Sequence, residues 1–133
     1  MEREFSPVLY RTLKDGGCTY SLVEDRILEK GERSYVMSIY PKKEFKIPLK
    51  DFNIYKLNQY VINNIGLLTQ AGHVLGTWVH EEEVYLDVSV LFSKDSYLLE
   101  DLQLMSNHGQ IAAWDLETST LIPFDYDTKE TFD

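Results

Sequence analysis

The feature that most constrains the fold is an alternation of apolar and polar residues over positions 75–90, interrupted once by three acidic residues. Alternation of this kind is typical of β-strands that bury one face. If Glu81 and Glu82 form a two-residue turn, the two halves of the stretch pair with each other. The sequence therefore predicts an antiparallel β-hairpin around which the remaining chain is arranged.

The predicted pairing gives the hairpin two faces of different chemistry. The apolar face carries the cross-strand pairs Val79 with Val84, Thr77 with Leu86, and Leu75 with Val88. The second face carries the pairs Trp78 with Tyr85, Gly76 with Asp87, and His80 with Glu83. We expect the apolar face to lie in the core, whereas the second face is either covered by the remaining chain or exposed as a binding surface.

Other strand-like segments flank this hairpin. Composition and turn residues predict strands at 18–23, 34–40, 45–49, 110–116 and 120–124. The charged segment 24–33 is predicted to be a long hairpin loop that joins the first two of these strands. Pro48 has no amide hydrogen for a central ladder, so the strand at 45–49 is predicted to lie at an edge.

Two helices are predicted on either side of the hairpin. The first has apolar residues at helical spacing, namely Ile54, Leu57, Val61, Ile65 and Leu68. Asp51 or Asn53 is its expected N-cap. The second helix is predicted from Leu98, Leu102 and Met105, with Ser93 or Asp95 as its cap and a stop at residues 107–109.

This order of elements predicts a single α+β domain over residues 1–133. We expect a mostly antiparallel sheet of about five to seven strands with two helices packed on one face. Residues 1–16 are predicted to be an irregular arm, and residues 125–133 a flexible acidic tail.

The formal net charge of −9 is unevenly distributed along the chain. Residues 1–80 contain 11 Lys and Arg and 9 Asp and Glu, a net charge of +2, whereas residues 81–133 have 2 and 13, a net charge of −11. An acidic field repels nucleic acid and anionic lipid and attracts basic protein surfaces. We therefore expect a protein partner with a basic surface and no direct binding of nucleic acid or membrane.

Three features of the sequence bear on location. No apolar run approaches the roughly 20 residues that span a bilayer. The first residues lack the basic and apolar regions of a secretory signal. Cys18 is the only cysteine, so no intramolecular disulfide can form. We expect a cytoplasmic protein.

An ordered set of short motifs resembles a pattern in small phage and prophage proteins that have no assigned activity. The motifs are GTWV at 76–79, VYLDVS at 84–89, QIA at 110–112 and DL at 115–116. The resemblance covers about residues 76–122 and departs at the turn, where Glu81 and Glu82 replace the usual Asp-Gly. It implies a phage or mobile-element protein that works in a bacterial cytosol, and it assigns no catalytic residue.

Residues suited to catalysis are sparse. His80 and the neighbouring hairpin carboxylates are too widely spaced for one metal shell, and no metal-binding, phosphate-binding or nucleophile motif is present, so we expect no metal and no cofactor. Asp87 and Asp115 lie in predicted strands near aromatic residues that could raise a carboxyl pKa. They define one alternative function, a small metal-dependent nucleotide or phosphoester hydrolase.

The sequence favours a non-catalytic acidic binding protein of a phage or mobile element, an inhibitor of a host nucleic-acid-handling or defence protein. Its late carboxylates are expected to form one negative surface that imitates DNA phosphates. Self-association through the aromatic face is a third alternative. The predicted binding residues are Trp78, Glu81, Glu82, Glu83, Tyr85, Asp87, Glu100, Asp101, Trp114 and Asp115.

Overall fold

The structure is a computed structural model that describes residues 5–106 and 112–124. Its strands are β1 (Gly17–Ser21), β2 (Arg26–Ile27), β3 (Ser34–Met37), β4 (Phe45–Pro48), β5 (His73–His80), β6 (Glu83–Ser93), β7 (Ala112–Asp115) and β8 (Thr120–Pro123). Its helices are α1 (Ser6–Asp15), α2 (Ile54–Asn63), α3 (Ile65–Leu68) and α4 (Leu99–Met105). The predicted α+β class is confirmed, with four α-helices in the described residues where two were predicted.

All strands belong to one antiparallel sheet. The strand order is β2-β1-β5-β6-β3-β7-β8, and β4 pairs with β6 beside this path. The long strand β6 pairs with β5 along one edge, and along the other edge with β4 at residues 83–86 and with β3 at residues 90–93. This makes β6 the centre of the sheet, and it leaves β4 as the short edge strand that Pro48 predicts.

The hairpin of β5 and β6 has the predicted register. Leu75 lies opposite Val88, Thr77 opposite Leu86, and Trp78 opposite Tyr85. Because side chains alternate between the two faces of a strand, this register places the apolar residues together on one side. Leu75, Leu86 and Val88 are fully buried there.

Glu81 and Glu82 form the predicted turn. Both have positive φ angles, 50° and 64°, as the two central residues of a type I′ turn require. Glycine and asparagine adopt this conformation readily, whereas other residues lose about 1 kcal/mol or more in the left-handed region. The long ladder of the hairpin therefore holds two glutamates in a conformation that they do not favour by themselves.

Replacement of Glu81 by asparagine and of Glu82 by glycine is expected to raise the free energy of unfolding by about 1 kcal/mol. The double variant relieves the unfavourable φ angles and keeps the backbone pairing. Urea unfolding measures the change. The control variant E81Q/E82Q removes the same two charges without relieving the backbone, and an equal gain there would assign the effect to charge.

The helices pack on the face of the sheet that carries the apolar hairpin residues. The main core cluster joins Val8 of α1, Leu57 of α2 and Leu68 of α3 to Leu75 and Leu86. A second cluster joins Leu102 of α4 to sheet residues that include Met37 and Phe92. Phe92 continues the same alternation along β6, so all four helices lie on this face.

Among the described residues, a cluster of buried side chains covers one end of the opposite face. Leu28, Val36, Val74 and Leu116 form a third cluster there, with Leu91 of β6 against it. Toward the hairpin turn, the same face carries Trp78, which remains 41% exposed. The two alternatives for this face thus apply to different parts of it.

The prediction of an irregular arm at residues 1–16 is wrong for the described part, because Ser6–Asp15 form α1. The helix has Pro7 in its first turn and ends at Gly16, whose φ is 84°. Only Val8 and Thr12 of the helix are buried. Thr12 donates a hydrogen bond to the Val8 carbonyl and shares another with the Thr77 hydroxyl. A polar residue at a buried position breaks the apolar stripe by which a helix is recognised in a sequence.

The predicted hairpin between β1 and β3 is also wrong. β1 pairs with β5 and β2, and β3 pairs with β6 and β7. The intervening segment contains β2 and is held by Arg26, whose guanidinium donates two hydrogen bonds to Glu32. The central hairpin of β5 and β6 therefore lies between the two strands and separates them.

The first predicted helix, with its apolar stripe from Ile54 to Leu68, is divided at Asn64 into α2 and α3, and the second begins at Leu99 and not after the predicted caps Ser93 or Asp95. The Asn53 side chain accepts the Lys56 amide hydrogen at 3.0 Å and caps α2 as expected. In α4 only Leu102 is buried, whereas Leu98 and Met105, predicted to share its apolar face, are 61% and 56% exposed. The predicted stop at residues 107–109 and the tail at 125–133 lie outside the described residues. None of the described helices combines the length and the apolar composition that crossing a membrane requires.

Candidate functional site

The open part of the second sheet face carries a stacked aromatic pair. The rings of Trp78 and Tyr85 are 4.5 Å apart between centroids and inclined by 19°. The His80 ring follows at 5.4 Å from Trp78. Direct cross-strand pairing of Trp78 with Tyr85 brings the rings together, and the alternation of β5 adds His80 to the same side.

Lys46 borders the aromatic pair from β4. It lies opposite Tyr85 in the sheet, with its Nζ 5.9 Å from the centroid of the Tyr85 ring. The same Nζ is 3.6 Å from Glu83 Oε1. Exposed contacts of this kind contribute little to stability. They do orient the lysine along the ring. We call Lys46, Trp78, His80 and Tyr85 the aromatic patch.

Asp87 lies beside the patch on the same face. It is opposite Gly76, and a Cβ added to Gly76 would be only 2.5 Å from Asp87 Oδ1. The missing side chain therefore makes room for the carboxylate. Ser89 Oγ donates a hydrogen bond to Asp87 Oδ1 at 2.7 Å. Burial raises the pKa of Asp87, the Ser89 hydrogen bond opposes this, and the Glu44 charge adds to the rise.

Replacement of Asp87 by asparagine is expected to stabilise the protein at neutral pH. A carboxyl whose pKa is raised on folding contributes stability that is full below its unfolded pKa of about 4 and is lost as the pH rises through the folded pKa. Asparagine does not ionise, and its Oδ1 can still accept the Ser89 hydrogen bond. The urea midpoint of D87N should exceed that of the wild type at pH 7, and the difference should shrink toward pH 4.

The control for this prediction is D95N, which removes the same charge at an exposed position. We expect the urea midpoint of D95N to show no comparable rise above that of the wild type as the pH increases from 4 to 7. A difference between D87N and the wild type that stays constant from pH 4 to pH 7 would contradict the assigned cause.

The predicted acidic binding residues lie in different parts of the fold. Glu81 and Glu82 are exposed at the hairpin turn, whereas Glu100 and Asp101 lie on α4, which packs near Phe92. Phe92 is nine positions along β6 from Glu83, which corresponds to roughly 30 Å. The Asp101 carboxylate accepts the Leu98 amide hydrogen at the start of α4. These carboxylates therefore lie near opposite ends of β6, because neighbours in sequence separate once this strand extends between them, and a continuous negative surface stays a prediction.

Asp115 forms an ion pair with Lys94. It is buried, and its carboxylate lies 2.9 Å from Lys94 Nζ. Burial alone would raise the pKa of Asp115, but the Lys94 ammonium and the Glu117 amide outweigh it, and the pKa is lowered. The contact joins the end of β7 to the segment that follows β6.

Asp87 and Asp115 do not form a carboxylate pair. Asp115 lies opposite Tyr35, which lies opposite Phe92 on the face that packs against the helices. Asp87 occupies the other face of β6. Within residues 5–106 and 112–124, no three His, Cys, Asp or Glu side chains are grouped so that they could hold a metal ion.

Trp114 is separate from the aromatic patch. It lies opposite Val36, which pairs with Leu91. Leu91 is six positions along β6 from Tyr85, or roughly 20 Å. Trp114 is 37% exposed, close to the value for Trp78. It does not belong to the same site, but it provides a matched comparison for Trp78.

A second site, which the sequence analysis did not predict, is a groove between α2 and the 3₁₀ turn Pro41–Lys43. It has a volume of about 290 Å³, and Lys42, Lys43 and Lys56 are among its lining residues. Residues 42–56 contain five lysines against one glutamate and one aspartate, a net charge of +3. This local signal is lost when charge is summed over residues 1–80.

Comparison of the chain with protein-family models, with curated proteins and with solved structures finds no match. The resemblance to phage proteins therefore stays a prediction. The chemistry of the aromatic patch and of the lysine-lined groove is the basis on which a function can be argued.

Proposed function

We propose that this protein is a non-catalytic binding protein that captures a protein partner through the aromatic patch and the acidic turn beside it. The observation that carries the proposal is the stacked pair of Trp78 and Tyr85, in which Trp78 is 41% exposed and Tyr85 is half-buried. Large rigid aromatic side chains are enriched at the centres of protein interfaces, where they bury much area at a small cost in side-chain entropy. The patch has the chemistry of such a centre.

The surroundings of the patch indicate the chemistry of the partner. Glu81 and Glu82 are exposed at the tip of the same hairpin. Glu83 is already paired with Lys46, whereas Glu81 has a 3.5 Å contact with His80 Nε2. The turn can thus engage lysine or arginine side chains at the rim of an interface, where charge mainly increases the association rate. The proposed partner has an apolar or aromatic centre bordered by basic residues.

Three predictions from the sequence are part of this proposal. They are a phage or mobile-element origin, a cytoplasmic location, and the inhibition of a host nucleic-acid-handling or defence protein. Imitation of a DNA phosphate track has no support from the separated carboxylates at the turn and on α4. The proposal depends on the aromatic centre, with the two turn glutamates as its charged rim.

The test compares W78A with its matched control W114A. Both substitutions remove a tryptophan of similar exposure, but only the first alters the patch. A partner is first identified by affinity capture from a host lysate at low salt, and its affinity is then measured by calorimetry with purified proteins. We expect W78A to bind at least about tenfold more weakly and W114A to bind as the wild type does. Equal weakening by both variants, or by neither, would contradict the proposal.

Two further measurements separate the components of the proposal. E81Q/E82Q should lower the association rate and reduce its dependence on salt, with a smaller effect on the dissociation rate. Sedimentation of the wild type and of W78A addresses self-association. A dimer that W78A converts to a monomer would identify the partner as a second copy of this chain.

A further inference from the structure

We propose that the groove between α2 and the turn Pro41–Lys43, here called the lysine groove, binds a nucleoside monophosphate. Its phosphate would be held by the lysines and its base would lie against Phe45. The proposal concerns a site separate from the aromatic patch. Lys46 of β4 points to the patch, whereas its neighbour Phe45 lines the groove on the other side of the same strand.

The charge of the groove is the first argument. Lys42 and Lys43 line one wall, and Lys56 of α2 lines the other. None of the three has an ion-pair partner within the described ranges of the chain. Among the described residues that line the groove, Glu44 is the one acidic residue. Three lysines around a concavity attract a compact anion, and a protein whose net charge is −9 has no general tendency to do so.

The walls of the groove are fixed by Tyr60. This buried tyrosine donates a hydrogen bond from its hydroxyl to the Lys43 carbonyl at 2.6 Å, which ties the turn to α2. Burial and the charges of Asp87 and Glu44 raise the pKa of Tyr60, so the hydroxyl stays protonated and keeps donating. The lysines of the turn are therefore presented from an anchored backbone.

An aromatic surface and two amides complete the groove. Phe45 is stacked with Tyr60 at 6.5 Å between ring centroids and is 51% exposed. Gln59 Nε2 donates to Asn63 Oδ1 at 3.1 Å. This bond leaves Gln59 Oε1 as an acceptor and Asn63 Nδ2 as a donor, neither with a partner in the part of the chain that the structure describes. A neighbouring acceptor and donor match the edge of a nucleobase.

These features together favour a nucleotide over a simple anion. Inorganic phosphate would use the lysines and leave the aromatic ring and the amides without a role. The volume of about 290 Å³ lies just below the range for drug-sized ligands, which suits a small ligand such as a mononucleotide. Stacking of a base on an aromatic side chain tolerates any base, so the identity of the base is left to the amides.

The test titrates the ¹⁵N-labelled full chain with adenosine, guanosine, cytidine and uridine 5′-monophosphates at low ionic strength. Adenosine, inorganic phosphate and a short glutamate-rich peptide are titrated in parallel. At least one nucleotide should shift the amide signals of residues 42–45 and 56–64, and should bind at least about tenfold more tightly than phosphate, nucleoside or peptide. No shift with any nucleotide, or equal or tighter binding of phosphate or of the peptide, would overturn the proposal.

Variants test whether the lysines bind the phosphate and whether Phe45 binds the base. K42Q/K43Q should weaken nucleotide binding about tenfold. K50Q, which alters an exposed lysine of the same segment outside the groove, should leave it unchanged. F45L keeps an apolar residue on the edge strand and removes the ring, so it should weaken nucleotide binding about tenfold and leave phosphate binding unchanged. Circular dichroism verifies that each variant is folded, and unaltered nucleotide affinity in folded K42Q/K43Q would refute the assignment. Trp78 is untouched throughout, so failure here leaves the aromatic-patch proposal standing.

Discussion

Replacement of Leu86 by alanine is expected to lower the free energy of unfolding by about 3 kcal/mol. Leu86 is fully buried in the main core cluster and lies between Thr77 of β5 and Phe45 of β4. Its truncation removes apolar contacts and leaves a cavity that the surrounding helices and strands can fill only in part. Urea unfolding followed by circular dichroism measures the loss.

The matched control is L121A. Leu121 is 64% exposed on β8, so the same truncation there should change the free energy of unfolding by less than about 0.5 kcal/mol. A loss below about 1 kcal/mol in L86A would mean that the hairpin core is loosely packed, contrary to the structure. The two variants together test whether the apolar hairpin face is the centre of the core.

Replacement of Gly76 by alanine is expected to lower the free energy of unfolding by about 1 to 2 kcal/mol. The new Cβ would lie 2.5 Å from Asp87 Oδ1 and 3.2 Å from its Cγ, so the carboxylate must move. Its displacement breaks the hydrogen bond from Ser89 in a partly buried place. Without such a clash, the change from glycine to alanine stabilises by about 0.4 to 1 kcal/mol, because it restricts the unfolded chain.

A double-mutant cycle identifies the cause. In a D87A background the clash is absent, and G76A should then be neutral or stabilising, which corresponds to a coupling of about 2 kcal/mol between the two positions. The control G66A changes a glycine of α3 whose added Cβ would meet nothing within 4 Å, and it should stabilise by about 0.5 to 1 kcal/mol. Additive effects of G76A and D87A would contradict the close approach.

The hairpin could be predicted in detail because its signal is local. Side chains alternate with a period of two, so once the turn is placed at Glu81 and Glu82 every cross-strand pair follows. The Asn53 cap is similarly local, and Asn53 is one of the two caps that the sequence predicted. The helix α1 was missed because Thr12, a polar residue, occupies one of its two buried positions.

The candidate site was predicted in part. The cross-strand pairing of Trp78 with Tyr85 follows from the register, but the exposure of Trp78 depends on which segments reach the second face, and those that the structure describes cover the other end. Asp115 and Trp114 were grouped with these residues because they share residue types, although the sheet separates them. The lysine groove was missed because its walls, at residues 42–45 and 56–64, are separate in sequence and meet through tertiary contacts, the Tyr60 hydrogen bond to Lys43 and the stacking of Phe45 on Tyr60.

The sequence by itself determined the hairpin, its register and its two chemically different faces, because these depend on contacts between residues near each other along the chain. Only the tertiary structure decided which strands flank the hairpin, which end of its second face stays open, and where the charges lie. Those outcomes depend on how segments that are distant in sequence pack against each other, and a local pattern of residues does not determine that packing.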